Sequence, residues 1–279
     1  MEEYLHPGRE YLLSWRGAVL LISVFLFMQL GMLQVWEFVQ GFISSVEIIK
    51  MTVFFMMVSY VLTFLGCIFA FDQFIVKPTT GSRLNFNMKS VPTSTYFIVF
   101  PLMLGGIFIV EYLTGLIPTT GKFFGPWYEQ FQMLFKQMSW EPMALFLMTS
   151  FFAPVLEEII FRGIIQKGMI NKGVSPAKSI FISAVIFGLV HANPWQFLGA
   201  LLIGLIFGYV YFKTKTLLLP ILLHAFNNFL SSMLMLYTSE ESLATFFKIS
   251  EIYLLLIGVV IISFFGYLFI YKNKIHYKD

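Results

Sequence analysis

Two adjacent acids, Glu157 and Glu158, stand inside an apolar run, and Arg162 follows Glu158 by four residues. Two imidazoles, His191 and His224, stand in later apolar runs, the second followed by Asn227 and Asn228. Ionisable groups in such surroundings are costly and by default mark function. A carboxylate held out of bulk water can serve as a general base, and histidine can hold or help activate the water it deprotonates. An amide beside an imidazole can donate to a developing oxyanion. On a helix, Glu157 and Glu158 point about 100° apart, so they cannot serve one small site in the same way. Glu158 and Arg162, at i and i+4, can pair along one face, which leaves Glu157 to point elsewhere. Phe187 and His191 share a helical face by the same rule. Plainer readings exist for each. The Glu-Arg spacing suits a structural pair at a helix end, His191 suits a satisfied core residue, and the asparagines suit hydrogen bonds between spans. Either Asn227 or Asn228 could share the face of His224.

Two histidines and a carboxylate also suit Zn2+ with water in the fourth position. If a metal is present, His191, His224 and Glu158 are the expected ligands, with Glu157 as base. No His-Glu-x-x-His motif occurs in the chain, so the usual helical zinc signature is missing. Water activation by glutamate and histidine alone is the favoured expectation. The single cysteine, Cys67, excludes a disulfide framework and a cysteine-based zinc site.

The elements that must position these groups follow from composition. Of 279 residues, 58% are hydrophobic and only 12% charged. That charged share is about half of a soluble domain's, and a soluble chain of this length could not hide so much apolar surface. The same figures exclude disorder. A net charge of +3, without a basic patch, does not point to nucleic acid. The chain reads as an all-α, polytopic membrane helical bundle. Eight stretches approach the ~20 residues a spanning helix needs: 17–36, 51–71, 96–116, 142–161, 179–191, 196–212, 217–237 and 252–271. The fifth is short and stops near Asn193-Pro194, where proline disfavours continuation. Arg162 falls at the cytoplasmic end of the fourth. All Lys and Arg except Lys50, Lys122, Lys136 and Lys248 fall on one side of this arrangement. That bias places both termini in the cytoplasm. Counted at ~1.5 Å per residue from where each span enters, Glu157 lies roughly 22 Å in from the outer face, and His191 and His224 roughly 18 and 10 Å in from the cytoplasmic face. Those depths allow a common level in a core about 30 Å thick.

Residues 72–95 read as the longest polar loop, broken by Pro78, Gly81 and Pro92. Residues 123–138, which mix aromatics with polar groups, read as an interfacial segment on the non-cytoplasmic side. Glu111, near the outer end of the third span, reads as a packing or helix-end contact. No cleavable signal, lipidation motif, internal repeat or soluble domain is expected.

The ordered set Ala153-Pro154-x-x-Glu157-Glu158-x-x-Phe161-Arg162-Gly163, Phe187-Gly188-x-x-His191, Gly204-x-x-x-Gly208 and His224-x-x-x-Asn228 resembles a known family. It is that of the type II CAAX prenyl endopeptidases and bacteriocin-processing proteins (CPBP), which are intramembrane proteases. The likeness covers residues 142–236. It implies Glu157 as the base that activates water and His191 as the group that holds or helps activate it. It also implies His224 and Asn228 as oxyanion stabilisers, with Glu158, Arg162 and Phe187 orienting the site. The implied organisation is N-terminal spans over 1–141, a catalytic core over 142–236, and a last span with a basic tail over 237–279. The expected function is an intramembrane endopeptidase of the cell membrane. Its partners would be a membrane-associated peptide or protein substrate and the bilayer. A scaffold or immunity protein on the same fold is an alternative, and so is a transporter, since buried Glu and His also mark proton paths. The absence of a repeated half argues against transport.

Overall fold

The computed structural model describes residues 10–43, 48–237 and 242–272. The tail residues His6, Arg9, Lys274, His276 and Lys278 lie outside the described residues. The described residues form helices, which we number α1 (Trp15–Gln40), α2 (Ile48–Phe71), α3 (Thr93–Gly115), α4 (Gly121–Ser139) and α5 (Pro142–Asn171). They continue as α6 (Pro176–Leu189), α7 (Pro194–Thr214), α8 (Leu218–Tyr237), α9 (Leu243–Phe247) and α10 (Glu251–Tyr267). Seven of the described helices are long and apolar enough to cross a membrane, so this is a multi-pass membrane protein. The remaining expected span is α6, a shorter apolar helix of 14 residues. At ~1.5 Å per residue it measures roughly 21 Å, less than a ~30 Å hydrocarbon core.

Two boundaries differ from the sequence reading. The loop expected from residue 72 begins later, because α2 runs on through a π-helical turn, Asp72–Val76, and a last α-turn, Lys77–Thr80. Pro78 falls in this last turn, and Gly81, with φ of 72°, ends the run in the left-handed region. Asp72 then ties down the following chain. Its carboxylate accepts from Arg83 Nη1 at 2.6 Å and from the Leu84 amide at 2.7 Å. The fourth span also continues, reaching Asn171 through two π-helical segments, Met148–Phe152 and Ile159–Gln166. Arg162 is therefore in the body of a helix and fully buried, not at a span end.

The chain divides into two compact units. The first holds residues up to Phe86 together with Val155–Ser179. In it α1 and α2 run antiparallel, as the pairs Cys67 with Leu21, Phe64 with Phe25 and Phe55 with Trp36 show. The stretch before α1 docks on the second half of α5. Leu13 donates its amide to the Gly168 carbonyl at 3.0 Å, and Asn171 Nδ2 donates to the Tyr11 carbonyl at 3.0 Å. A Cβ at Gly168 would lie 2.9 Å from that of Leu13, so the approach requires glycine.

The second unit holds Asn87–Pro154 and the chain from Ile180. Its centre is α3, packed against α10 and α7. Apolar side chains gain little from leaving lipid, so such helices associate through close approach. Gly105 of α3 and Gly258 of α10 provide it: a Cβ on Gly258 would meet the Gly105 carbonyl oxygen at 2.8 Å. Val99, Met103, Phe207, Val210, Leu219 and Leu223 form the buried core beside them. The segment expected to be interfacial is the amphipathic helix α4. Its Phe124, Tyr128 and Phe131 surround Trp195 at ring separations of 6.2, 5.1 and 6.2 Å. Glu111 is structural. Its Oε1 accepts the amide of Ala244 at 3.1 Å, at the start of α9.

Candidate active site

The acidic candidates, Glu157 and Glu158, are in the first unit. Glu157 and Glu158 follow one another on α5, so their side chains diverge, and their partners differ accordingly. Glu158 Oε1 meets Arg162 Nη1 at 2.7 Å, and both side chains are 0% exposed. The i,i+4 pairing read from the sequence is present. Its setting is a π-helical segment that starts at the next residue, Ile159. Such widened turns recur at functional sites because they re-aim side chains within a helix. Glu157 is also buried, and its Oε1 accepts a hydrogen bond from Tyr60 Oη of α2. Tyr60 was not among the residues singled out by sequence. The available signal was slight: a Ser59-Tyr60 pair interrupting an apolar run.

The two imidazoles, His191 and His224, are in the second unit. Phe187 is buried and lies against both histidines, 5.2 Å from the His191 ring and 5.6 Å from the His224 ring, edge-on in each case. Phe207 stacks on the opposite side of this cluster, 5.1 Å from His224 at an interplanar angle of 27°. His191 is not on the helix, contrary to the helical spacing assumed for it. Helix α6 stops at Leu189, and Ala192 adopts a left-handed φ of 55°. Asn193 then caps α7, its side chain accepting from the Gln196 amide, with Pro194 in the first turn. This capping starts a new helix, so the chain must turn at His191. The turn keeps the imidazole near Phe187 all the same. His191 Nδ1 lies 2.8 Å from the Phe187 carbonyl oxygen. A carbonyl only accepts, so Nδ1 carries the proton and, in the neutral ring, Nε2 is the acceptor.

The two asparagines have different contacts. Asn228 Nδ2 donates to the Thr149 carbonyl at 2.7 Å, and Asn227 Nδ2 donates to Asn228 Oδ1 at 3.1 Å. Thr149 lies in the first π-helical segment of α5, where backbone bonding is loosened. Its hydroxyl also meets that of Ser232 at 3.0 Å. Asn228 thus connects α8 to α5 inside the second unit, one turn below His224. Gly204 and Gly208 are buried on α7.

The donor set can be tested for zinc. Among the described residues, neither unit groups three His, Cys, Asp or Glu side chains as a metal site. Glu158, the expected carboxylate ligand, is already committed to Arg162. Of the expected ligands, His191 and His224 belong to the second unit and Glu158, engaged by Arg162, to the first.

Comparison with known proteins bears on the same stretch. Residues 139–230 match the family of type II CAAX prenyl endopeptidases described as Rce1-like. That Rce1-like segment contains Glu157, Glu158, Arg162, Phe187, His191, His224 and Asn228 together. A protein of Bacillus subtilis (strain 168) named "Putative membrane peptidase YdiL" is 37% identical over 84 residues, 30% of this chain and 34% of that protein. The chain therefore matches about one third of the length of this relative. No solved structure matches the chain. Tyr60 lies outside the Rce1-like segment.

Proposed function

We propose that the protein is an intramembrane endopeptidase of the CAAX-processing type, hydrolysing a peptide bond of a membrane-associated peptide or protein. The observation that supports this most is that one Rce1-like stretch, 139–230, supplies every acid, imidazole and amide the chemistry calls for. In this reading Glu157 takes a proton from water, and the resulting hydroxide attacks the scissile carbonyl. His191 helps to activate water through Nε2, its ring held by the Phe187 carbonyl. His224 and the second amide N–H of Asn228 stabilise the oxyanion that forms. Glu157 then returns the proton to the departing amine, so hydrolysis leaves a carboxylate and an amine. Glu158 and Arg162 do not touch the reacting atoms. They neutralise one another and hold the helix that presents Glu157. No step passes through a metal.

The test uses the full chain in proteoliposomes with two fluorogenic probes. One is a peptide with a farnesylated Cys-aliphatic-aliphatic-X end, and the other is an unprenylated peptide on a lipid anchor. Wild type should cleave at least one, and Glu157→Ala and His191→Ala should lose nearly all of that cleavage. Absence of cleavage by wild type overturns the endopeptidase reading. Full activity in both variants removes the mechanism.

A further inference from the structure

Tyr60, which contacts Glu157, lies outside the Rce1-like segment and on a different helix. Its phenol donates to Glu157 Oε1. Its ring is stacked on Phe64 at 4.5 Å and 23°, and Phe64 meets Phe25 of α1 edge-on at 6.1 Å. The donor is therefore held by an aromatic series across α1 and α2, and the hydroxyl does not sweep freely. Tyr60, with Ser59, also lines a cavity of about 290 Å3 between α1 and α2.

We propose that Tyr60 is the positioning residue of the glutamate base. This rests on the reading of Glu157 as that base. A carboxylate can rotate about its last side-chain bond, and either oxygen could then face water. The phenol holds Oε1 and fixes the plane of the carboxylate. The element that sets the geometry of the base is then an α2 side chain beyond the family segment. Chains that carry the Rce1-like stretch without such a donor would need another group in its place.

The variant that isolates this role is Tyr60→Phe, which keeps the ring stack and removes only the hydroxyl. In proteoliposomes, with the peptide probe that wild type cleaves, kcat should fall about ten- to a hundredfold, as for loss of a hydrogen bond to a charged group. KM should stay within about twofold, because the phenol does not meet the substrate. In the Glu157→Gln background the same change should cost almost nothing further, since the group it positions is gone. A second readout does not depend on activity. The infrared band of the Glu157 carboxyl, assigned by its loss in Glu157→Gln, should shift in Tyr60→Phe while thermal unfolding stays unchanged. An unmoved band overturns the proposal, and so does wild-type kcat. A raised KM at constant kcat overturns it too, because it assigns Tyr60 to substrate binding. Loss of wild-type cleavage of every probe would sink the endopeptidase reading separately, and the band shift would still decide the contact.

Discussion

Replacing Arg162 by methionine is the perturbation whose cost the structure defines best. Arg162 and Glu158 are both 0% exposed and 2.7 Å apart. Methionine keeps most of the side-chain length but leaves the carboxylate in a low-dielectric interior without its cation. Breaking a buried pair in this way costs about 3–5 kcal/mol. An exposed pair with the same i,i+4 spacing would cost no more than about 1 kcal/mol. The difference is large enough to measure. Unfolding in mixed micelles by titration with SDS, followed by circular dichroism, gives the free energy. The companion variant Glu158→Leu with Arg162→Met removes both charges and should recover most of the loss, because two desolvation penalties go with the pair. A single variant costing less than about 1 kcal/mol would refute the burial argument. A double variant as unstable as the single would show that shape, not charge, sets the cost.

Asn228→Ala removes the bond to the Thr149 carbonyl. It should cost about 1 kcal/mol in SDS unfolding, the scale of hydrogen bonds between spans, together with a marked loss of kcat in the peptide assay. Gly258→Val places side-chain atoms where a Cβ alone would be 2.8 Å from the Gly105 carbonyl oxygen. It should destabilise by about 1–3 kcal/mol or more, read in the same titration. Glu111→Ala uncaps α9 at Ala244 and should cost about 0.5–2 kcal/mol while leaving cleavage rates unchanged. Treatment of the reconstituted protein with 1,10-phenanthroline should leave cleavage intact. Inactivation reversed by added zinc would instead require a ligand set that the Glu158–Arg162 pair does not offer.

The chemistry-bearing residues were legible because charge in an apolar run is conspicuous. Glu157, Glu158 and Arg162 stand out against the lipid-compatible residues around them, and helical spacing alone predicts that the first two diverge and the last two pair. The multi-spanning helical class follows from composition for the same reason: a chain with so few charges cannot remain in water. Other features needed the fold. Tyr60 is one of 13 tyrosines, a residue common in spans, and only the packing of α2 against the later half of α5 gives it a carboxylate to bond. His191 belongs by periodicity to a helix, yet the capping of the next helix at Asn193 turns the chain before it is reached. Arg162 at a nominal span end is fully buried because π-helical segments carry α5 on to Asn171. Residue type and spacing determine which groups cannot be left to lipid. Which neighbour satisfies each of them depends on contacts between helices far apart in the chain, and no local pattern encodes those.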